Sequence, residues 1–203
     1  GAAAQTVEGG RAGPREALPR AREVVLARSA APEAVSTDAT VLVWTGDDYE
    51  EAATGSNGVT CFVDRSWPDS LEPQCFDEEG SATILPIFLE QVRLRHRGLG
   101  DAEVDAAIAA GLRSGAFRLP ARPAMSYMMS GAQVLFDDDG RRVGAWRPHL
   151  MIYYPYLTEE AMGLGVTPSL DAAMVVDPGT PLSNVLVVVR DFVQPEVEEA
   201  GGG

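Results

Sequence analysis

The sequence predicts an α+β domain: a mainly antiparallel sheet with an inserted helical hairpin and one disulfide. Three observations carry that expectation. Segments of strand pattern flank two consecutive segments of helical pattern, an order of β-α-α-β rather than strict alternation. The only two cysteines, Cys61 and Cys75, stand at a spacing compatible with a hairpin. The last strand-like run, Asn184 to Val189, reads NVLVVV, the unbroken apolar pattern of a central strand buried on both faces.

Residues 1–34 read as a flexible N-terminal segment. Within it Leu18, Ala21, Val25 and Leu26 recur at helical spacing, which marks a short helix, docked or loose, that Pro32 would end. Residues 35–194 read as a single domain. Thr40 to Trp44 is β-rich, Gly46-Asp47-Asp48 is a turn, and Tyr49 to Ala53 is a weaker returning strand. Gly55-Ser56-Asn57-Gly58 then reverses the chain into Val59 to Val63, because Asn and Gly tolerate positive φ. Three antiparallel strands are expected here. If Cys61 and Cys75 pair, they close a loop of 15 residues, a constraint that the chain-entropy model values at about 3 kcal/mol.

The helical hairpin follows. Ser81 to Arg97 carries Ile84, Leu85, Phe88 and Val92 on one face, with Pro86 near its regular start and arginines at its C-terminal end, where cations suit the helix dipole. Asp101 is the expected N-cap of the second helix, and Gly115 its stop. Strand patterns resume at Ala124 to Met129, Gln133 to Phe136, Val143 to Trp146, Leu150 to Tyr154, Ala173 to Val176 and Asn184 to Val189. A turn at Asp137-Asp138-Asp139-Gly140 and a short helix near Thr158 to Met162 interrupt them. Residues 195–203, PEVEEAGGG, read as a disordered acidic tail.

Composition excludes some classes of function. The formal net charge is -14, and such a field repels phosphate backbones, so neither nucleic acid nor an anionic membrane surface is an expected partner. All 16 basic residues are arginine, which removes Schiff-base chemistry and lysine general bases. No apolar run reaches the roughly 18 residues of a membrane span. The even cysteine count and the small-residue start, Gly1-Ala2-Ala3-Ala4-Gln5, fit a mature protein after signal-peptide removal and point to a periplasmic or secreted location.

Several motifs taken in order resemble a family of uncharacterised exported bacterial proteins. They are Ala39-Thr40-Val41, Gly55-Ser56-Asn57-Gly58-Val59-Thr60-Cys61, Glu72-Pro73-Gln74-Cys75-Phe76-Asp77, Ser126-Tyr127-Met128-Met129-Ser130, Pro148-His149-Leu150-Met151 and Asp177-Pro178-Gly179-Thr180-Pro181. The resemblance implies a secreted or periplasmic protein. It brings no activity, cofactor or catalytic residue.

Candidate chemistry gathers around His149. His149 and Met151 share one side of a strand by the period-two rule, and the expected ligand-binding face comprises Tyr127, His149, Met151 and Tyr153. A His/Met set of His149, Met151 and Met128 has the soft ligands that copper prefers. The plainer account is that the methionines fill gaps in the core, and no copper or other cofactor is the favoured reading. A hydrolase would use His149 as general base with Ser126 or Tyr127 as hydroxyl partner, although no G-x-S-x-G elbow is present. The acidic turn at 137–140 lacks the alternating ligands of a calcium loop. The favoured expectation is a non-enzymatic exported domain that binds a small molecule or a protein partner. A hydrolase centred on His149 and a copper-binding protein are the alternatives.

Overall fold

A computed structural model describes residues 17–66, 70–136, 141–144, 146–163 and 172–195. The Asp137–Gly140 turn, residues 1–16 and residues 196–203 lie outside the described residues. The chain opens with helices α1 (Arg20–Arg28) and α2 (Glu33–Ser36), then strands β1 (Thr40–Trp44), β2 (Tyr49–Ala53), β3 (Thr60–Asp64) and β4 (Glu72–Phe76). Helices α3 (Glu78–Thr83), α4 (Leu85–His96) and α5 (Asp101–Ser114) follow. Then come β5 (Ala124–Met128), β6 (Leu135–Phe136), β7 (Arg142–Val143), β8 (His149–Tyr153), α6 (Glu159–Met162), β9 (Met174–Val176) and β10 (Asn184–Val188). Eight strands form one sheet in the order β2-β1-β3-β4-β5-β8-β10-β9, and β6 pairs with β7 apart from it. The α+β class, the mainly antiparallel pairing, the helical insertion and the disulfide are all as the sequence predicts.

The first three strands depart from expectation. β2 and β1 form the antiparallel hairpin, but β3 joins the other side of β1 and runs parallel to it. The crossing needs the chain to pass over the start of β1 at close range. Gly55 makes that possible: a Cβ there would lie 2.1 Å from the Thr40 backbone nitrogen. Gly58 completes the reversal with φ +78°, a left-handed backbone that glycine adopts without steric cost.

Cys61 and Cys75 sit directly opposite each other on β3 and β4 and are bonded, with Cα atoms 4.0 Å apart. Helix α1 covers this face of the sheet. Leu26, Ala27, Ala30 and Ala31 pack against Val41, Val63 and the disulfide, and small side chains let the helix lie close enough for Cys75 Sγ to reach 3.7 Å from the Ala27 carbonyl oxygen. Of the two arrangements the sequence leaves open for this short helix, docked or loose, the structure has it docked, with Leu26 and Ala27 in the core. The helix carries a charge inside: Glu23 and Arg65 have fully buried side chains and pair at 2.8 and 3.1 Å, and Glu23 Oε1 also accepts from the Trp44 backbone N–H at 2.9 Å.

On the opposite face α3 and α4 cover β3, β4 and β5. The expected single helix breaks at Ile84. Asp77 caps α3 by accepting from the Gly80 N–H at 2.7 Å, and Pro86 falls in the first turn of α4, where its missing N–H has no partner to lose. Phe62, Phe76, Phe88 and Tyr153 meet here at ring distances of 5.6 to 6.5 Å. Helix α5 starts from Gly100, one residue before the expected cap, and ends at Gly115 in the left-handed conformation. Arg93 and Arg95, on the hairpin's charged side, pair with Asp48 and Asp101.

β10 is not the central strand that its apolar run predicts. It is next to last, bordered by the three-residue β9, and only Asn184 of its five residues is fully buried. The apolar run instead supplies one wall of a cavity. Among the described residues no helix is long and apolar enough to cross a membrane.

Removing one member of a buried ion pair leaves the other charged and without its partner. Glu23→Ala is therefore expected to lower stability by about 3–5 kcal/mol, read as a shift of the urea midpoint. A midpoint within error of the parent would show that Arg65 does not depend on Glu23.

Candidate functional site

Side chains alternate across a strand, so the pairing register decides which residues share a face. Asp64 opposes Glu72, and Phe62 opposes Gln74. Phe76 opposes Ser126, Ser126 opposes Met151, and Met128 opposes His149. Val188 opposes His149, Leu186 opposes Met151, and Asn184 opposes Tyr153. All of these lie on the face that α4 covers only in part. Beside Phe88 a cavity of about 440 Å³ forms over this face, within the usual range of small-molecule sites.

His149, Met151 and Tyr153 all line this cavity, as the period-two rule requires. Tyr127 does not. It is paired with Cys75 and Leu150 and packs among the residues around the disulfide on the α1 face. The grouping of Tyr127 with His149 is therefore corrected: Ser126 and Met128, one position to either side, occupy the cavity face. Met128, His149 and Met151 are brought together. Among the described residues there is no group of three or more His, Cys, Asp and Glu arranged to hold a metal ion.

The polar side chains of the site have distinct environments. His149 is 5% exposed, and its Nδ1 lies 2.6 Å from the Arg147 carbonyl oxygen. A proton on Nδ1 makes that bond and leaves Nε2 as the acceptor of the neutral ring. Burial pushes the imidazole pKa down, against the pull of that carbonyl. Ser126 is fully buried and accepts from Gln74 Nε2 at 2.9 Å. Gln74 Nε2 also reaches the Tyr153 hydroxyl at 3.4 Å, and burial pushes that phenol's pKa well up. The two partners of the expected hydrolase, His149 and Ser126, are each engaged with other groups. Two acceptors in the cavity lining, Gln74 Oε1 and Asn184 Oδ1, are buried without a hydrogen-bond partner among the described residues.

Two acidic site residues are absent from the expected set: Asp64, 4% exposed, and Glu72, 9% exposed. Asp64 accepts from the Ser66 N–H and hydroxyl, both at 2.8 Å. Glu72 accepts from Trp146 Nε1 at 3.1 Å. Burial pushes the Glu72 carboxyl up to about 8, the Asp64 charge adds to it, and the Trp146 bond opposes. Burial also raises Asp64, to about 6, against the Ser66 bonds, the Arg65 backbone N–H and the Arg65 charge. The two titrate as a pair that retains a proton at neutral pH. A signal for them exists in the sequence: directly opposed positions of an antiparallel pair add to a constant, so a bond between opposed Cys61 and Cys75 places Asp64 opposite Glu72.

No protein-family model, curated protein or solved structure matches the chain. Its function has to be read from the geometry of this site.

A carboxyl with a raised folded-state pKa stabilises the fold while protonated, and that contribution is lost as pH rises through the folded value. The lowered His149 pKa works in the opposite direction, at and below its ordinary 6.5. Between pH 6.5 and about 8 the Glu72 effect therefore dominates, and stability is expected to fall by about 1–2 kcal/mol. Glu72→Gln should flatten the profile. A parent protein whose urea midpoint is constant over that interval would contradict the assignment.

Proposed function

We propose that this chain is an exported, non-catalytic domain that binds a small, largely apolar molecule in the cavity beside His149, Met151 and Tyr153. The observation that carries the reading is the cavity itself. About 440 Å³ of space is walled mainly by Phe88, Met174, Leu182, Leu186 and Val188, with a few convergent polar groups. That combination of apolar wall and sparse polar contacts is the usual make-up of a ligand pocket. Binding is favoured over hydrolysis because Ser126 is buried and bonded to Gln74, while His149 Nδ1 faces a backbone carbonyl rather than a carboxylate. Export is supported by the Cys61–Cys75 bridge, since disulfides persist in oxidising compartments. The motif resemblance points the same way.

The test is a titration with the uncharged dye N-phenyl-1-naphthylamine, followed by its emission and by quenching of Trp146, which borders the cavity. Saturable one-to-one binding is expected. Leu186→Trp, which fills the cavity from β10, should abolish it while leaving the melting temperature nearly unchanged. Failure of the parent protein to saturate, or undiminished binding in Leu186→Trp, would reject the reading.

A further inference from the structure

The cavity is unevenly furnished. Its apolar walls ask for a hydrocarbon body, but its buried polar side chains are dominated by acceptors. Asp64 and Glu72 face each other across β3 and β4, and the hydrogen bonds they receive, from Ser66 and Trp146, come from neutral groups. The adjacent cation, Arg65, points to the other face, where Glu23 takes both of its terminal nitrogens. Arg147 also lines the cavity, and its carbonyl oxygen contacts His149.

Two further residues lack what they need. Gln74 follows Glu72 on the same face of β4 and is fully buried, with Oε1 unpartnered. Asn184, 3% exposed, donates Nδ2 to the Leu182 carbonyl oxygen at 3.2 Å, so its unpartnered Oδ1 can only accept. Leaving such an atom buried and unbonded is costly, and a ligand that donates to it removes the penalty. A ligand that fits these acceptors therefore brings N–H or O–H donors. Opposite the acid pair it gains most by bringing positive charge as well.

We infer that the cavity binds an organic ammonium, a small amine whose protonated nitrogen lies against Asp64 and Glu72 and whose hydrocarbon body lies along the apolar wall. Gln74 Oε1 is the next acceptor on the acid side. Asn184 Oδ1, three strands further across the sheet, receives a second donor on the body of the ligand. Phe88 and Trp146 also line the cavity, and aromatic rings attract cations through their quadrupoles. An anionic ligand is disfavoured at this end of the cavity by the pair's own charge. The inference rests on the reading of the cavity as a binding site, and the experiment separates the two.

Isothermal titration near pH 8, where the pair sheds its proton, compares three probes of one shape: 2-phenylethylamine, 2-phenylethanol and phenylacetate. The amine is expected to bind at least about tenfold more tightly than the alcohol, the difference between a charge-assisted and a neutral hydrogen bond, with phenylacetate weakest. In Asp64→Asn/Glu72→Gln the amine should fall to the level of the alcohol while the alcohol keeps its affinity. Alcohol bound as tightly as amine by the unaltered protein overturns the ammonium assignment and leaves the cavity reading standing. Binding of none of the three overturns both. Discrimination that survives in the double variant overturns the role of the acid pair.

Discussion

The pairing of β3 with β4, locked where Cys61 faces Cys75, is the constraint on which both faces of the sheet depend. A slip of one residue would exchange the faces. Were β3 to slip past β4, Phe62 and Asp64 would turn toward α1, and Cys61 would turn toward the aromatic cluster under α4, away from Cys75. The covalent link forbids that alternative. It does so in the part of the sheet where buried charge makes the wrong register most costly.

Two charge systems sit back to back across this ladder. On the α1 face the Glu23–Arg65 pair is closed, bidentate and inaccessible to solvent. On the cavity face Asp64 and Glu72 accept from neutral donors, Ser66 and Trp146. Consecutive residues of the chain, Asp64 and Arg65, thus belong to different environments. An arginine beside an aspartate would ordinarily settle its charge, but Glu23 claims the guanidinium. Helix α1 therefore does more than cover the core, because it keeps the acidity of the opposite face from being neutralised.

Much of the architecture was legible in the sequence, because hydrophobic period and turn chemistry are local properties. The helical hairpin, the α5 stop at Gly115 and the strands that carry His149 and Asn184 follow from them. The parallel joining of β3 to β1 was not legible. Asn57-Gly58 reports that the chain reverses, but which side of β1 it returns on depends on the contact between Gly55 and Thr40. NVLVVV misled because an apolar run is equally satisfied by a second sheet layer or by a cavity. At the site, strand alternation was enough to bring His149, Met151 and Tyr153 together. Tyr127 was misplaced because neighbouring positions on β5 face opposite ways. Asp64 and Glu72 were missed because an acidic residue near a strand end reads as solvated until the register is known.

The two borders of the sheet are unlike its interior. β2 carries exposed Glu50 and Glu51, and Arg20 of α1 reaches across to bond the Glu50 carboxylate and the Glu51 backbone carbonyl. β9 pairs through only three residues. A strand from another molecule that sought to extend the sheet would meet fixed negative charge and an occupied carbonyl at one border. At the other it would find too short a template. Open sheet edges are the common route to fibrillar self-association, and short or charged edges are a recognised defence. A protein with a cross-linked, buried ladder at its centre is in this way kept from growing by addition at its margins.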